Sequence, residues 1–173
     1  MSLKRNLSLF IVALAAIFAL FLLSPVRVID IRSNDLDRSI YREAVKPGYT
    51  FATVIRHSVH LTPVFEYYKI DENGRIILTG TKLQDLGWGV PSTYSQDSRF
   101  EDGFLVIEGI DKPTDFVPFR VSYITRPCLV LDNGNRKVDL TQAVSNLDRI
   151  DIHAAKMPRW KLLLRGETDE FPQ

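Results

Sequence analysis

An antiparallel β-sandwich or partly closed barrel, preceded by one N-terminal transmembrane helix, is the architecture this sequence predicts. Three observations carry it. The chain opens with an uncharged apolar run, continues in short stretches rich in β-branched and aromatic residues, and separates them with Gly, Pro, Asn and Asp turn signals at regular spacing.

From Asn6 to Val26 no side chain is charged, and Leu7 to Leu23 is almost entirely Leu, Ile, Val, Ala and Phe. Crossing a bilayer as a helix takes about 20 such residues. A cleaved signal peptide shares the basic start but has a shorter apolar region and small residues before the cut. Leu22-Leu23-Ser24-Pro25 is a poor cut site, so an uncleaved anchor is preferred to a cleaved signal. Lys4, Arg5 and the terminal amine favour a cytoplasmic N-terminus, against the opposing pull of Arg27 and Arg32. The expected organisation is residues 1–5 in the cytoplasm, 6–26 in the lipid bilayer, 27–165 as an extracytoplasmic β-domain and 166–173 as a polar tail. This describes a single-pass protein of the cell membrane.

The 22 basic and 21 acidic side chains of the 173-residue chain nearly cancel, which leaves no basic footprint for nucleic acid. With Cys128 as the single cysteine, intramolecular disulfides and cysteine-cluster metal sites are excluded. In Pro127-Cys128-Leu129-Val130-Leu131 it reads as a small buried hydrophobe.

Taken in order, Val26 to Arg32 alternates apolar and polar residues as a half-buried strand does. Asn34 to Asp37 turns the chain, Ser39 to Val45 pairs back, and Lys46-Pro47-Gly48 turns it again. Tyr49 to Ser58, Pro63 to Ile70 and Arg75 to Leu83 then form a three-stranded meander, with Asn73-Gly74 in its second turn. Periodicity is lost between Gln84 and Gln96, where Gly87-Trp88-Gly89-Val90-Pro91 lacks the strand-then-helix context of a dinucleotide fingerprint. Trp88 is expected to fasten this loop to the core. Arg99 to Gly109 is a hairpin on Asp102-Gly103. Strands are expected at Phe119 to Thr125, Cys128 to Asp132, Arg136 to Leu140, Asp148 to His153 and Trp160 to Leu164. A short helix capped by Thr141 is expected to run to Leu147. Gly166 to Gln173 is expected to fray.

Polar chemistry concentrates in Ile55 to Glu66, where His57, His60 and Glu66 flank a hairpin loop. With Val59 to Thr62 as the loop, His57 faces Val64 and Glu66 falls one step along the same face. A His–Glu pair there would hold one tautomer, as an acid–base dyad or an oriented metal ligand does, with His60 as a third ligand. The bland alternative is a His–Glu hydrogen bond that satisfies both groups and fixes the hairpin. Ser58 beside His57 does not make a hydrolase pair, because strand neighbours point to opposite faces, and nothing in the sequence brings His153 near. Arg56, Arg120, Arg126 and Arg136 suit anions by their planar forks, although solvated strand-face charges are the ordinary reading. Phe65, Tyr67 and Tyr68 read as packing rather than a stacking platform.

The order His57-Ser58-Val59, Pro63-Val64, Glu66, then Gly87-x-Gly89-x-Pro91, then Ile107-Glu108-Gly109-Ile110 resembles the bacterial family catalogued as domain of unknown function 1850, over about Val26 to Trp160. Trp88 stands where that family has a small residue. The resemblance implies a small anchored or exported protein associated with TAXI-type TRAP transporters, with a transporter subunit or solute receptor as partner. It implies His57, Ser58, Pro63, Glu66, Gly87, Gly89 and Pro91 as motif positions, no assigned catalytic residues and no cofactor. The sequence reading is therefore an accessory or binding module on such a transporter. Its competitors are a metal-assisted hydrolase of the cell envelope using His57, His60 and Glu66, and a purely structural envelope protein.

Overall fold

The computed structural model describes residues 2–57, 60–84 and 97–163. Helix α1 (Ser2–Leu23) leads directly into β1 (Pro25–Ser33). Its window Asn6–Leu23 has mean hydropathy 2.6 and contains no buried residue, and it is long and apolar enough to cross a membrane. At about 1.5 Å per residue, its length matches a hydrocarbon core of about 30 Å. Pro25 cannot continue the helix, and Ser24 closes the last turn by donating its Oγ hydrogen to the Phe21 carbonyl at 2.6 Å.

Among the described residues eleven strands follow, in two antiparallel sheets that do not close into a barrel. The smaller sheet is ordered β2 (Arg38–Ala44), β1, β11 (Arg149–Pro158), β8 (Phe116–Arg120). The larger runs β10 (Arg136–Asp139), β9 (Cys128–Leu131), β3 (Thr50–Arg56), β4 (Pro63–Ile70), β5 (Ile76–Leu83), β7 (Phe104–Thr114), β6 (Ser98–Glu101). The expected opening hairpin and meander are therefore present. Asp102 and Gly103, at φ 51° and 79°, supply the positive dihedrals that the tight β6–β7 turn requires.

Period-two alternation puts one row of each strand inside. Ile29, Ile31, Ile150, Ile152, Val117 and Phe119 of the smaller sheet meet Phe51, Tyr68, Ile70, Ile76, Leu129 and Leu131 of the larger one in a single core. A second cluster, Val64, Leu83, Leu105 and Ile107, lies farther along the inner row of β4, β5 and β7. Between β5 and β7 the strands approach so closely at a register shift that a Cβ on Gly80 would stand 2.8 Å from the Ile107 carbonyl oxygen. Asp148, fully buried, ties the loop before β11 to the end of β1: it accepts from Ser33 Oγ at 2.6 Å and from the Asp35 amide at 3.1 Å.

Three sequence expectations are corrected. The strand expected over Phe119 to Thr125 ends at Arg120. Beyond it Arg126 N–H bonds to the Ser122 carbonyl, and the Thr125 hydroxyl bonds to that carbonyl too, so β-branched residues close a turn. The helix expected from Thr141 to Leu147 is a single 3-10 turn, Leu140–Gln142, capped by Asp139 through the Thr141 amide. Leu147, at φ 72°, turns the chain out of any helix. Trp160 to Leu164, expected as a strand, falls largely within α2 (Arg159–Leu163), which starts after Pro158 with its first amide on the Ser24 carbonyl.

Candidate functional site at the far end of the sandwich

β1 leaves α1 at Pro25 and ends at Ser33, eight residues on and about 26 Å away at ~3.3 Å per residue. Pairing then fixes the two ends of the domain. Near α1 lie the start of β1, the end of β11 and the Asp71–Gly74 turn, where a Cβ on Gly74 would touch Arg27 and Lys156. At the far end lie the β3–β4 hairpin, the Ser122–Arg126 turns and the β6–β7 turn, linked in part by the Arg56 amide donating to the Thr125 carbonyl at 3.0 Å.

The hairpin carries His57 and His60. Its ladder runs through Arg56↔Pro63 to the His57 amide, which donates to the Thr62 carbonyl at 2.8 Å. Leu61, at φ 54°, makes the reversal, and its amide donates to the His57 carbonyl at 2.9 Å. His57 Nδ1 accepts from the His60 amide at 3.1 Å, an assignment that makes Nδ1 the unprotonated nitrogen, and the two rings stand 5.1 Å apart. Pro63 opens β4, a position where its missing N–H is tolerated.

The expected His57–Glu66 proximity is corrected by this register. Glu66 is opposite Thr53, not one step from His57, because Val64 pairs with Ile55 and Pro63 with Arg56. The two residues keep the same face but are separated by about 13 Å of strand at ~3.3 Å per residue. Glu66 instead belongs to a polar row, Thr53, Glu66 and Thr81, that crosses the inner face between the two apolar clusters. Its Oε2 accepts from the Tyr68 hydroxyl at 2.9 Å and, more weakly, from Thr53 Oγ1 at 3.4 Å. Burial, and then the Glu66 charge, push the Tyr68 phenol well above its ordinary range, which keeps it a donor. Among the described residues no group of three His, Cys, Asp or Glu side chains converges as a metal site.

The remaining expectations divide. Ser58, Gly87, Trp88, Gly89 and Pro91 lie outside the described residues. Arg56 and Arg126 both belong to the far end, Arg120 donates to the Leu147 carbonyl at 2.9 Å, and Arg136 is bound to Glu43 at 2.5 Å. His153 stacks on Phe116 and sits opposite Asp30 in the smaller sheet. Cys128 is buried, and burial raises its thiol pKa.

Two features of this end carry no signal in the sequence. An open hollow of about 550 Å³ is lined by Tyr123, Arg126, Asp139, Thr141 and Gln142. Around it and the hairpin tip, Leu61, Tyr123, Ile124 and Leu147 are each more than half exposed. In the sequence, Ser122-Tyr123-Ile124-Thr125 looks like strand interior, and only the tertiary turn turns those side chains outward.

No curated protein and no solved structure matches the chain. One family model does match, over residues 51–140, from the second residue of β3 to the 3-10 turn after β10, and it includes the hairpin and the Glu66 row. The chain belongs to the family described as Domain of unknown function (DUF1850).

Proposed function

We propose that this protein is a membrane-anchored, extracytoplasmic binding or accessory module that works with a TAXI-type TRAP solute transporter, docking the solute receptor or a transporter subunit through the far end of its sandwich. The observation that carries the docking part is the set of exposed apolar side chains Leu61, Tyr123 and Ile124 beside His57 and His60. Exposed apolar groups gathered with polar ones are a usual mark of a contact surface. The spanning-type helix at the opposite end supports an arrangement in which α1 holds the domain to the bilayer and the strands carry the surface about 26 Å outward. The transporter as partner rests on the family resemblance.

The hydrolase reading needs His57, His60 and Glu66 to converge, and the register separates Glu66 from the histidine pair. A purely structural protein has no need of an exposed apolar tip. The test is co-purification of the full-length chain with its own cell's membranes and exported proteins, using wild type, His57→Ala/His60→Ala and Leu61→Ser/Ile124→Ser. Capture of a transporter component by wild type, reduced by either far-end variant, supports the module. Equal capture by all three moves the contact elsewhere. Stoichiometric metal, bound without a partner and lost in the histidine variant, would favour the enzyme.

A further inference from the structure

The end of the domain next to α1 carries a second surface. β1 and β11 pair from Pro25↔Pro158, so the chain returns to the point where the apolar helix stops. There α2 begins, with the Arg159 amide on the Ser24 carbonyl at 3.0 Å and the Arg159 guanidinium 4.5 Å from the centre of the Phe21 ring. Trp160, Lys161 and Leu163 of the same short helix are exposed, and the Lys161 ammonium lies 5.7 Å from the Trp160 ring centre.

Two residues into the sheet, Arg27 stands directly opposite Lys156. Like charges in facing positions destabilise a sheet. Both side chains nevertheless bend over Gly74, and Arg27 Nη2 donates to the Glu72 backbone carbonyl rather than to a carboxylate. Glu72 lies at the same end, yet Arg27, Lys156, Arg159 and Lys161 make no ion pair among the described residues. Arg42, Lys69, Arg75, Arg99, Arg136 and Arg149 each have a carboxylate. Cations that face one another, with no counter-charge paired to them among the described residues, fit an external anion. Aromatic and basic side chains at the end of a span are the composition of a bilayer interface.

We propose that Arg27, Lys156, Arg159 and Lys161, with Trp160, form a collar that seats the domain on the anionic phospholipid headgroups of the leaflet from which α1 emerges. The collar fixes the tilt of the sandwich, so that the far end points away from the bilayer instead of lying on it. This rests on the anchor part of the function proposed above and is independent of the partner. Each cation near an anionic surface shifts the docked-to-undocked ratio about fivefold.

The test uses the full chain with Trp88→Phe, so that Trp160 is the sole tryptophan and is excited selectively beyond the tyrosine absorption band, reconstituted into phosphatidylcholine vesicles with or without phosphatidylglycerol. Quenching of Trp160 is measured with nitroxide lipids labelled near the headgroup and with aqueous iodide, and alkaline carbonate extraction is run on the same vesicles. The expected result is strong lipid quenching and weak iodide quenching with phosphatidylglycerol. Lys156→Gln/Arg159→Gln/Lys161→Gln reverses this pattern, and Lys156→Arg/Lys161→Arg preserves it. Retention in carbonate with equal iodide quenching in both vesicles overturns the collar and leaves the anchor standing. Release by carbonate overturns the anchor, and the collar with it.

Discussion

Glu66 separates a structural role from a chemical one most cleanly, and Glu66→Ala set against Glu66→Gln is the informative pair. In the wild type its carboxylate accepts from the Tyr68 hydroxyl at 2.9 Å and from Thr53 Oγ1 at 3.4 Å. Tyr68 and Thr53 are 5% and 2% exposed, so neither hydroxyl can turn to water once the acceptor is gone. A hydrogen bond to a charged group is worth about 1.5–3 kcal/mol, and an orphaned buried hydroxyl costs about 1–3 kcal/mol. Glu66 is itself half-buried, which places its own share at the low end. The alanine variant should lose about 2–3 kcal/mol. The glutamine variant keeps an acceptor oxygen and should lose about 1 kcal/mol or less. Urea unfolding of the full chain in detergent, followed by near-UV circular dichroism, should show the alanine midpoint lowered by about 1 M if m is near 2 kcal/mol/M. Glutamine as damaging as alanine, or both within about 0.5 kcal/mol of wild type, would refute the hydrogen-bonded row.

Other perturbations probe the frame that holds the two ends apart. Asp148→Ala strands the Ser33 hydroxyl and the Asp35 amide and should cost about 3–5 kcal/mol, read as earlier proteolysis of the Asn34–Asp37 turn. Gly80→Ala puts a Cβ 2.8 Å from a backbone oxygen and should cost about 1–3 kcal/mol in the same urea assay; no loss would mean that β5 and β7 are not so close. Burial raises the phenol pKa of Tyr41, Tyr49, Tyr67 and Tyr68 in the folded state. The native state therefore holds these protons more tightly than the unfolded chain. The stability they confer is complete below about pH 10 and falls above it, with a limiting slope of about 1.4 kcal/mol per pH unit for each tyrosine. Tyr68→Phe should flatten that alkaline fall, whereas an unchanged slope would remove Tyr68 from the set.

Much of the fold was legible because its signals are local. The strand at Val26 to Arg32, the boundary at Pro63 and the Asp102-Gly103 turn each rest on a backbone rule that tertiary structure did not override, although β1, central in its sheet, buries Val28 to Ile31 on both faces and not on the one face that alternation implies. Around Trp160 the sequence is ambiguous, because its apolar neighbours suit strand and helix equally at such length. What decides is the Arg159 amide meeting Ser24, a contact between opposite ends of the chain. The candidate site was half legible. His57 and His60 are adjacent, as their hairpin position implied, but Glu66 depends on register, and a register change of this kind moves the facing residue without changing composition. The exposed Tyr123 and Ile124 were hidden in a run whose β-branched residues serve a turn instead.

Docking of a transporter component at the end remote from α1, as proposed, is open to site-specific photo-crosslinking in the native membrane. A photoreactive residue at Ile124 is compared with one at Asn73, in the turn near α1. A crosslink is expected from position 124 to a TAXI-type solute receptor or transporter subunit, identified by mass spectrometry, and none from position 73. The same component crosslinked from position 73 alone, or no transporter component from either position, would contradict it.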